Sequence, residues 1–146
     1  AFACPLNEEG NKDGYALQFD TAGPVETRII GPDGLATDEH EEYLLEDGRL
    51  PVKEALFDRD ALVLEGGQAH SLGLVDPKGN TFVTVRFDAP LFGIWSPPGK
   101  NAPFICVEPW YGRCDHRDFN GTLEEREWSN SLEAGGEFNA SYSISV

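Results

Sequence analysis

The sequence predicts an all-β protein, an antiparallel β-sandwich or barrel formed by a single domain. Short apolar or alternating segments recur at close spacing along the 146 residues, and turns rich in Gly, Pro, Asn and Asp separate them. Only residues 51–57 have helical character, with Pro51 at the start. No fixed-period repeat is present, and the length suits one domain with a modest core.

The candidate strands follow from apolar runs or from period-two alternation. In chain order they are residues 15–19, 26–30, 43–45, 61–64, 70–75, 81–87, 91–95, 104–108 and 138–146. The clearest pair is the hairpin of 70–75 and 81–87, whose connecting residues 76–80 place Pro and Gly where a turn needs them. The tail, 138–146, predicts one long antiparallel strand with a wet face. The acidic residues 38–42 predict a solvated face or loop, with His40 at the surface.

The charge balance excludes several classes of partner. Twenty-six acidic residues against eleven basic ones give a formal net charge of −15. Nucleic acids, anionic membranes and polyphosphates all require a positive field, so none of them is an expected partner. No apolar run approaches the roughly eighteen residues needed for a membrane span.

The cysteines predict a reducing, cytoplasmic setting and no metal centre. Cys4, Cys106 and Cys114 form an odd set without a CxxC spacing, which argues against a disulfide framework. Cys106, Cys114 and His116 could be imagined as metal ligands, but their spacing fits no structural zinc pattern. Cys106 is therefore expected to be a small core residue, and His116, in a charged loop, to be exposed.

Residues 103–112 (PFICVEPWYG) contain the strongest candidate for a functional group. A buried strand ends at Glu108, a proline stops the ladder, and Trp110 and Tyr111 follow. A carboxylate at the mouth of a buried strand is a candidate general base, because burying a charge is costly unless something uses it. Flat aromatic faces beside a carboxylate also suit a sugar. The alternative is a solvated strand-end glutamate with no catalytic role.

Other motifs of common enzymes are missing. There is no GxSxG, glycine-rich phosphate loop or HExxH, so the sequence predicts no cofactor and no metal. Asp60, Asp115, His70 and Trp95 remain as further candidates. Asp60 precedes a strand, where an ordinary turn aspartate is the alternative, and Trp95 is either a core residue or a ligand platform.

Several segments, taken in order, carry a resemblance. They are Ala1–Leu6 (AFACPL), Leu56–Val63 (LFDRDALV), Gly93–Ser96 (GIWS), Phe104–Gly112 (FICVEPWYG), Leu132–Phe138 (LEAGGEF) and the final strand. Together they resemble the C-terminal half of aldose 1-epimerase (galactose mutarotase)-like proteins, in the bacterial LacX-like subgroup. Glu-Pro-Trp followed by glycine is the most specific of these motifs.

The resemblance implies a large twisted antiparallel β-sandwich that binds a free aldose and interconverts its anomers. It implies that Glu108 is the general base and that Asp60 contacts the sugar. Trp95, Trp110 and Tyr111 are then expected to bind substrate. An isomerase of this kind requires a base for the anomeric hydroxyl and an acid for the ring oxygen.

One departure from the family pattern concerns the acid. In the subgroup a His-Pro pair directly precedes the AFxCPL segment and a second functional histidine lies further upstream. His40, His70 and His116 stand at the wrong places to replace them. Residues 1–146 are therefore expected to be a C-terminal fragment, inactive alone, that self-associates or pairs with the missing N-terminal half.

Two other functions remain open. A non-catalytic carbohydrate-binding β-sandwich would use the same aromatic residues, with Glu108 as a hydrogen-bond acceptor only. A hexose-6-phosphate epimerase of the same superfamily is disfavoured by the net charge and by the lack of an Arg/Lys cluster in sequence near Glu108.

Overall fold

A computed structural model describes residues 2–6 and 11–146, in which nearly all regular structure is β-strand. The strands are β1 (Phe2–Pro5), β2 (Ala16–Phe19), β3 (Val25–Ile30), β4 (Ala36–Tyr43), β5 (Arg49–Pro51), β6 (Leu62–Glu65), β7 (Ser71–Val75), β8 (Thr81–Phe87), β9 (Leu91–Trp95), β10 (Phe104–Trp110) and β11 (Tyr142–Ser145). Two short 3-10 helices, Glu54–Phe57 and Leu123–Glu125, complete the elements of the described residues.

The strands form two sheets. In the first sheet the order is β1-β10-β9-β6-β3-β4, and in the second it is β11-β8-β7-β2-β5. Every pairing within the two sheets is antiparallel. The predicted all-β, antiparallel sandwich is therefore confirmed, and the hairpin at residues 76–80 connects β7 to β8 as expected.

The core lies between the inner faces of the two sheets. The first sheet contributes alternate residues of β6, β9 and β10: Leu62, Leu64, Phe92, Ile94, Ile105 and Val107. The second sheet contributes alternate residues of β2, β7 and β8: Leu17, Phe19, Leu72, Leu74, Val85 and Phe87. Because side chains alternate between the faces of a strand, filling this core fixes which residues of β10 point outward.

Phe92 joins the two sheets. Its ring centroid lies 5.0 Å from that of Phe87 and 6.4 Å from that of Phe19, both on the second sheet. Tilted aromatic pairs at these separations add a favourable contribution to the area they bury. Phe92 is almost completely buried, at 1% exposure.

The acidic run is part of a strand, which the sequence did not predict. Residues 38–42 lie within β4, which pairs with β3 and forms an edge of the first sheet. Most of their side chains, including that of His40, are exposed, so the predicted solvation is correct. At an edge the backbone can pair on one side while charged side chains remain in water, and such charges oppose edge-to-edge aggregation.

Other boundaries also differ from the prediction. The strand expected at 43–45 reaches only its first residue, because β4 ends at Tyr43. The long strand expected over 138–146 is limited to β11, whose residues are all exposed. Of the helical segment predicted at 51–57, only the 3-10 helix Glu54–Phe57 is present, because Arg49–Pro51 forms strand β5, which pairs with β2. Within the described ranges, no helix is long and apolar enough to cross a membrane.

Replacing Phe92 with Ala should lower the free energy of unfolding by about 3–5 kcal/mol, because it removes the ring between the sheets and leaves a cavity. Urea denaturation followed by far-UV circular dichroism measures this change. Leu132→Ala, at an exposed position, is the matched control and should change stability by less than about 0.5 kcal/mol. Equal effects of the two substitutions would contradict the assigned core.

Candidate functional site

Glu108 points away from the core, onto the outer face of the first sheet. Ile105 and Val107, which project from the opposite face of β10, are buried in the core. Glu108 lies opposite Gly93 on β9, and Gly93 lies opposite Val63 on β6. Directly opposed residues project from the same face of a sheet. The half-buried Glu108 side chain therefore lies on that outer face, in line with Gly93 and Val63.

Trp110 lies over Gly93 and contacts Glu108. Its indole is so close to Gly93 that a Cβ atom there would come within 2.6 Å of the ring. The indole Nε1–H donates a hydrogen bond of 3.2 Å to Glu108 Oε2. The absence of a side chain at Gly93 thus leaves room for the ring, and the ring orients the carboxylate. Glu108 Oε1 accepts no hydrogen bond from the residues described and remains available to a ligand.

Trp95 stands in the neighbouring row of the same face. It lies opposite Cys106, two residues before Glu108 on β10, and it is half-buried. Cys106 is buried, as predicted, but on this outer face and not in the core between the sheets. Burial and the nearby charge of Glu108 raise the pKa of the Cys106 thiol, which keeps it protonated.

Asp60 lies on the same face, just before β6 begins. Its backbone is in the left-handed region, with φ of 75°, and its Oδ1 accepts a hydrogen bond of 2.8 Å from the Ala61 N–H. It lines one cleft of about 390 Å³ with Val63 and Trp110. It also lines a second cleft, of about 510 Å³, with Trp95. Trp110 thus contacts Glu108 and lines a cleft with Asp60, whereas Glu108 itself lines neither of the two clefts.

A buried ion-pair network, which sequence reasoning missed, forms a wall of the first cleft. Glu65 accepts hydrogen bonds from Arg113 through Oε1 and, at 3.0 Å, from Arg28 through Oε2. The Arg113 side chain is only 1% exposed, and it also pairs with Glu127. Burial acts to raise the pKa of Glu65, but the hydrogen bonds from Arg28 and Arg113 outweigh it and lower that pKa. Glu65 therefore stays ionised and holds residues 112–114 against β6.

Nothing in the sequence pointed to this network. Its partners are 37 and 48 residues apart, and each is an ordinary charged residue in its local context. Only the register of β3 with β6 brings Arg28 near the end of β6 where Glu65 lies.

The structure does not bring Tyr111 to the Glu108 face. Tyr111 packs half-buried against the hydrophobic core, and its ring contacts Phe138 edge-on at 5.1 Å between centroids. It follows Trp110 directly at the end of β10, so it turns to the side opposite that residue. Of the aromatic residues expected to bind substrate, Trp95 and Trp110 share the outer face and Tyr111 does not.

The remaining candidates lie in other arrangements. Asp115 pairs with Arg126. His70 is exposed, but His116 is half-buried, contrary to expectation, because a bridge from Ala36 holds its loop against β4. His116 Nδ1 accepts a hydrogen bond from the Asp118 N–H, and its Nε2 lies 3.3 Å from Asp38 Oδ1. In the described ranges no group of three or more His, Cys, Asp or Glu is placed to hold a metal ion.

Comparison with curated proteins finds relatives of the predicted kind. The chain is 30% identical over 129 residues to protein LacX of Lactococcus lactis subsp. lactis, in both its plasmid and its chromosomal forms. The match includes 86% of this chain and 43% of LacX. The chain thus spans less than half the length of these relatives. No family model matches it.

Two solved structures share the fold. A galactose mutarotase-like protein from Lactobacillus casei ATCC 334 is 27% identical with a TM-score of 0.77, over 98% of this chain and 49% of that protein. A galactose mutarotase related enzyme from Lactobacillus acidophilus is 31% identical with a TM-score of 0.79, over 98% of this chain and 48% of that protein. Sequence and fold together confirm the predicted resemblance to galactose mutarotase-like proteins of the LacX-like subgroup, over about half of their length.

Proposed function

We propose that this chain supplies the general base and the sugar contacts of an aldose 1-epimerase acting on a free hexose. The observation that carries the proposal is the outward-facing Glu108 carboxylate, which Trp110 holds through one oxygen while the other is available. Asp60 lines a cleft beside the same indole, although Glu108 is not part of the lining of that cleft. A carboxylate, a flat aromatic face and a second carboxylate are the groups that a sugar ring with its hydroxyls requires.

In the proposed reaction, Glu108 removes the proton from the anomeric hydroxyl. The bond between C1 and the ring oxygen breaks, a carbonyl forms at C1, and an acid delivers a proton to the departing ring oxygen. Rotation about the C1–C2 bond and closure on the other face of the carbonyl give the opposite anomer. On closure the deprotonated acid takes its proton back from the hydroxyl that attacks C1, and the proton held by Glu108 passes to the new anomeric hydroxyl. Both groups return to their starting protonation states, and the sugar is isomerised without net gain or loss of protons.

Asp60 has the role of orienting the sugar. Its Oδ1 is occupied by the Ala61 N–H, and Oδ2 accepts no hydrogen bond within the described part of the chain. That oxygen can accept a hydrogen bond from a sugar hydroxyl in the cleft lined by Val63 and Trp110.

The general acid is proposed to lie outside these 146 residues. Neither of the two clefts is lined by His40, His70 or His116. We therefore propose that a complementary polypeptide, matching the half of the LacX-like proteins that this chain does not, completes the site. Its docking would also cover the apolar side chains that β11 exposes.

The arrangement of cations favours a neutral sugar over a hexose 6-phosphate. Arg28 and Arg113 lie near the site in space, which the sequence did not indicate, but Glu65 and Glu127 neutralise them. A phosphate would have to displace these carboxylates to gain a bidentate guanidinium contact. A non-catalytic sugar-binding protein would use the same cleft. It would differ from the epimerase in that it does not accelerate the exchange of the sugar anomers.

We also propose a cytoplasmic location. Cys4, Cys106 and Cys114 are all free thiols in the structure. Free cysteines persist in compartments where glutathione and thioredoxin keep thiols reduced.

Glu108→Gln should lower the rate of anomer exchange by about 10²–10⁴-fold, because it keeps the shape of the side chain and removes the base. The Trp110 hydrogen bond survives, since the amide oxygen still accepts it. The measurement is polarimetry of freshly dissolved galactose with the product of the whole reading frame that contains this chain. Glu42→Gln, at an exposed position of β4, is the matched control. An anomer-exchange rate within threefold of that of the unsubstituted protein would contradict the assignment of Glu108 as the general base.

Asp60→Asn should mainly weaken sugar binding, raising KM by about tenfold with a smaller change in kcat, because Asn is a poorer acceptor for a hydroxyl. Asn tolerates the left-handed conformation as well as Asp does, so the fold should be preserved. Asp88→Asn, exposed between β8 and β9, provides the control. A pure kcat effect with unchanged KM would show that Asp60 takes part in the proton transfers instead.

Residues 1–146 alone should not accelerate anomer exchange, and they should associate in solution. Without an acid the ring oxygen leaves unprotonated, and the loss of about 10²–10⁴-fold brings the rate near that of buffer. The edge strand β11 exposes Tyr142 at 58% and Ile144 at 47%, a surface suited to strand pairing.

Light scattering and anomer-exchange NMR on one sample test both parts of this prediction. Ile144→Lys should reduce association without disturbing the core, because the position is exposed. A stable monomer that equilibrates the galactose anomers far above the buffer rate would contradict it.

A further inference from the structure

Gly112 and Arg113 line a third cleft as well as the first one. The third cleft has a volume of about 730 Å³, larger than either of the two described above. The rest of its lining comes from the segment 123–131, none of whose residues is buried in the core. Neither Glu108 nor Asp60 lines this cleft. A ligand bound there would therefore occupy a site separate from the proposed sugar contacts.

Trp128 provides the aromatic surface of this third cleft, which we call the Trp128 cleft. Trp128 is half-buried, and its backbone lies in the left-handed region with φ of 57°. A bulky residue keeps that conformation only where its surroundings hold it. Gly112 permits the packing, because a Cβ atom there would lie 3.2 Å from the Trp128 carbonyl oxygen, and Asn130 Nδ2 donates to the Tyr111 carbonyl. The segment that carries Trp128 is thus held against residues 111 and 112.

The guanidiniums in and beside the Trp128 cleft are neutralised by carboxylates. Three arginines and three acidic residues form ion pairs there: Arg28 and Arg113 with Glu65, Arg113 with Glu127, and Arg126 with Asp115. The charges of these six groups cancel. An anionic ligand would find each of these arginines already paired, so the cleft does not favour an anion.

Three acceptors of the Trp128 cleft have no partner of this kind. Glu124 is exposed and forms no ion pair within the described residues, so its charge is left over. Asn130 Oδ1 and the Ser131 hydroxyl accept no hydrogen bond from the part of the chain that the structure describes. An alkylammonium group carries one positive charge, three N–H donors and no acceptor. It therefore supplies what these three groups lack.

The surroundings of Glu124 favour an organic cation over a metal ion. A cation close to an indole face is attracted by the ring, and the net charge of −15 attracts cations to the chain as a whole. Leu123, which is 67% exposed, lines the cleft and offers apolar contact to an alkyl chain. In the described ranges no group of three or more His, Cys, Asp or Glu is placed to hold a metal ion. Charge and apolar surface are thus combined, as they are in an alkylammonium ion.

We propose that the Trp128 cleft binds a primary alkylammonium ligand. The ammonium group pairs with Glu124 and donates to Asn130 Oδ1 and Ser131, and the alkyl chain packs on Leu123 and the Trp128 indole. The site is independent of the proposed sugar chemistry, because it shares no candidate base or sugar contact with it.

The indole N–H resonances of the three tryptophans provide the readout. n-Butylammonium chloride is titrated into ¹⁵N-labelled residues 1–146 in exchange for NaCl at constant ionic strength. It should move the Trp128 resonance along a saturating curve and leave those of Trp95 and Trp110 in place, since neither lines the Trp128 cleft. 1-Butanol, which has the same chain without the charge, should bind at least about fivefold more weakly.

Glu124→Lys should raise the dissociation constant for n-butylammonium at least about fivefold, because it replaces the attracting charge with a repelling one. Glu124 is exposed, so the substitution should preserve the fold. Glu42→Lys, at an exposed position of β4, changes the net charge equally and is the matched control. It should alter the constant by less than about twofold, because exposed charges farther apart than a Debye length are largely screened.

The outcomes each decide the inference. A saturating Trp128 shift that only Glu124→Lys weakens supports the alkylammonium site. An unmoved Trp128 resonance, equal binding of 1-butanol, or equal effects of Glu124→Lys and Glu42→Lys would overturn it. Galactose, titrated separately, should leave the Trp128 resonance unmoved, and a galactose shift there would show that the cleft takes sugars instead. None of these results depends on anomer exchange, so the failure of the epimerase proposal would leave this site standing.

Discussion

Alternation along β9 and β10 couples the core to the site. Phe92 and Ile94 on β9, with Ile105 and Val107 on β10, must face the second sheet to fill the space between the sheets. The residues between them, Gly93 and Glu108 among them, are then forced onto the outer face. A slip of one residue would bury the Glu108 carboxylate and expose four apolar side chains. Packing of the core thus determines the orientation of the candidate base.

The carboxylates near the outer face of the first sheet have different hydrogen-bond partners. Glu65 lies at the end of β6 and takes the hydrogen bonds of both Arg28 and Arg113. Because Glu65 and Glu127 neutralise those guanidiniums, neither forms an ion pair with Glu108. A base clamped by an arginine would be a weaker proton acceptor, since the ion pair favours the ionised form. The buried network therefore fixes the cleft wall, and among the described residues the neutral indole of Trp110 is the hydrogen-bond donor to the Glu108 carboxylate.

The parts of this structure that local patterns could predict are those decided by neighbours in sequence. The hairpin of β7 and β8, the buried strand that carries Glu108 and the position of Asp60 before β6 are of this kind. The predicted end of that strand was wrong: β10 continues through Pro109, which pairs opposite Phe92, to Trp110, so the proline does not stop the ladder. Contacts between distant segments, such as Arg113 with Glu65, left no local signal, and they shape the clefts. The acidic strand β4 was missed because an edge strand can keep charged side chains solvated, which removes the alternation that identifies a strand.

The match to half of the mutarotase-like proteins bears on how the proposed reaction is divided. The proposed base, Glu108, and the proposed sugar contacts, Trp110, Trp95 and Asp60, all come from the first sheet or its flanking loops. The acid must approach the ring oxygen of the same sugar, across the outer face. Binding and proton abstraction are therefore separable from ring-oxygen protonation. A chain that binds sugar on this face but does not interconvert its anomers would be consistent with that separation. It would not show that the sugar site is misassigned.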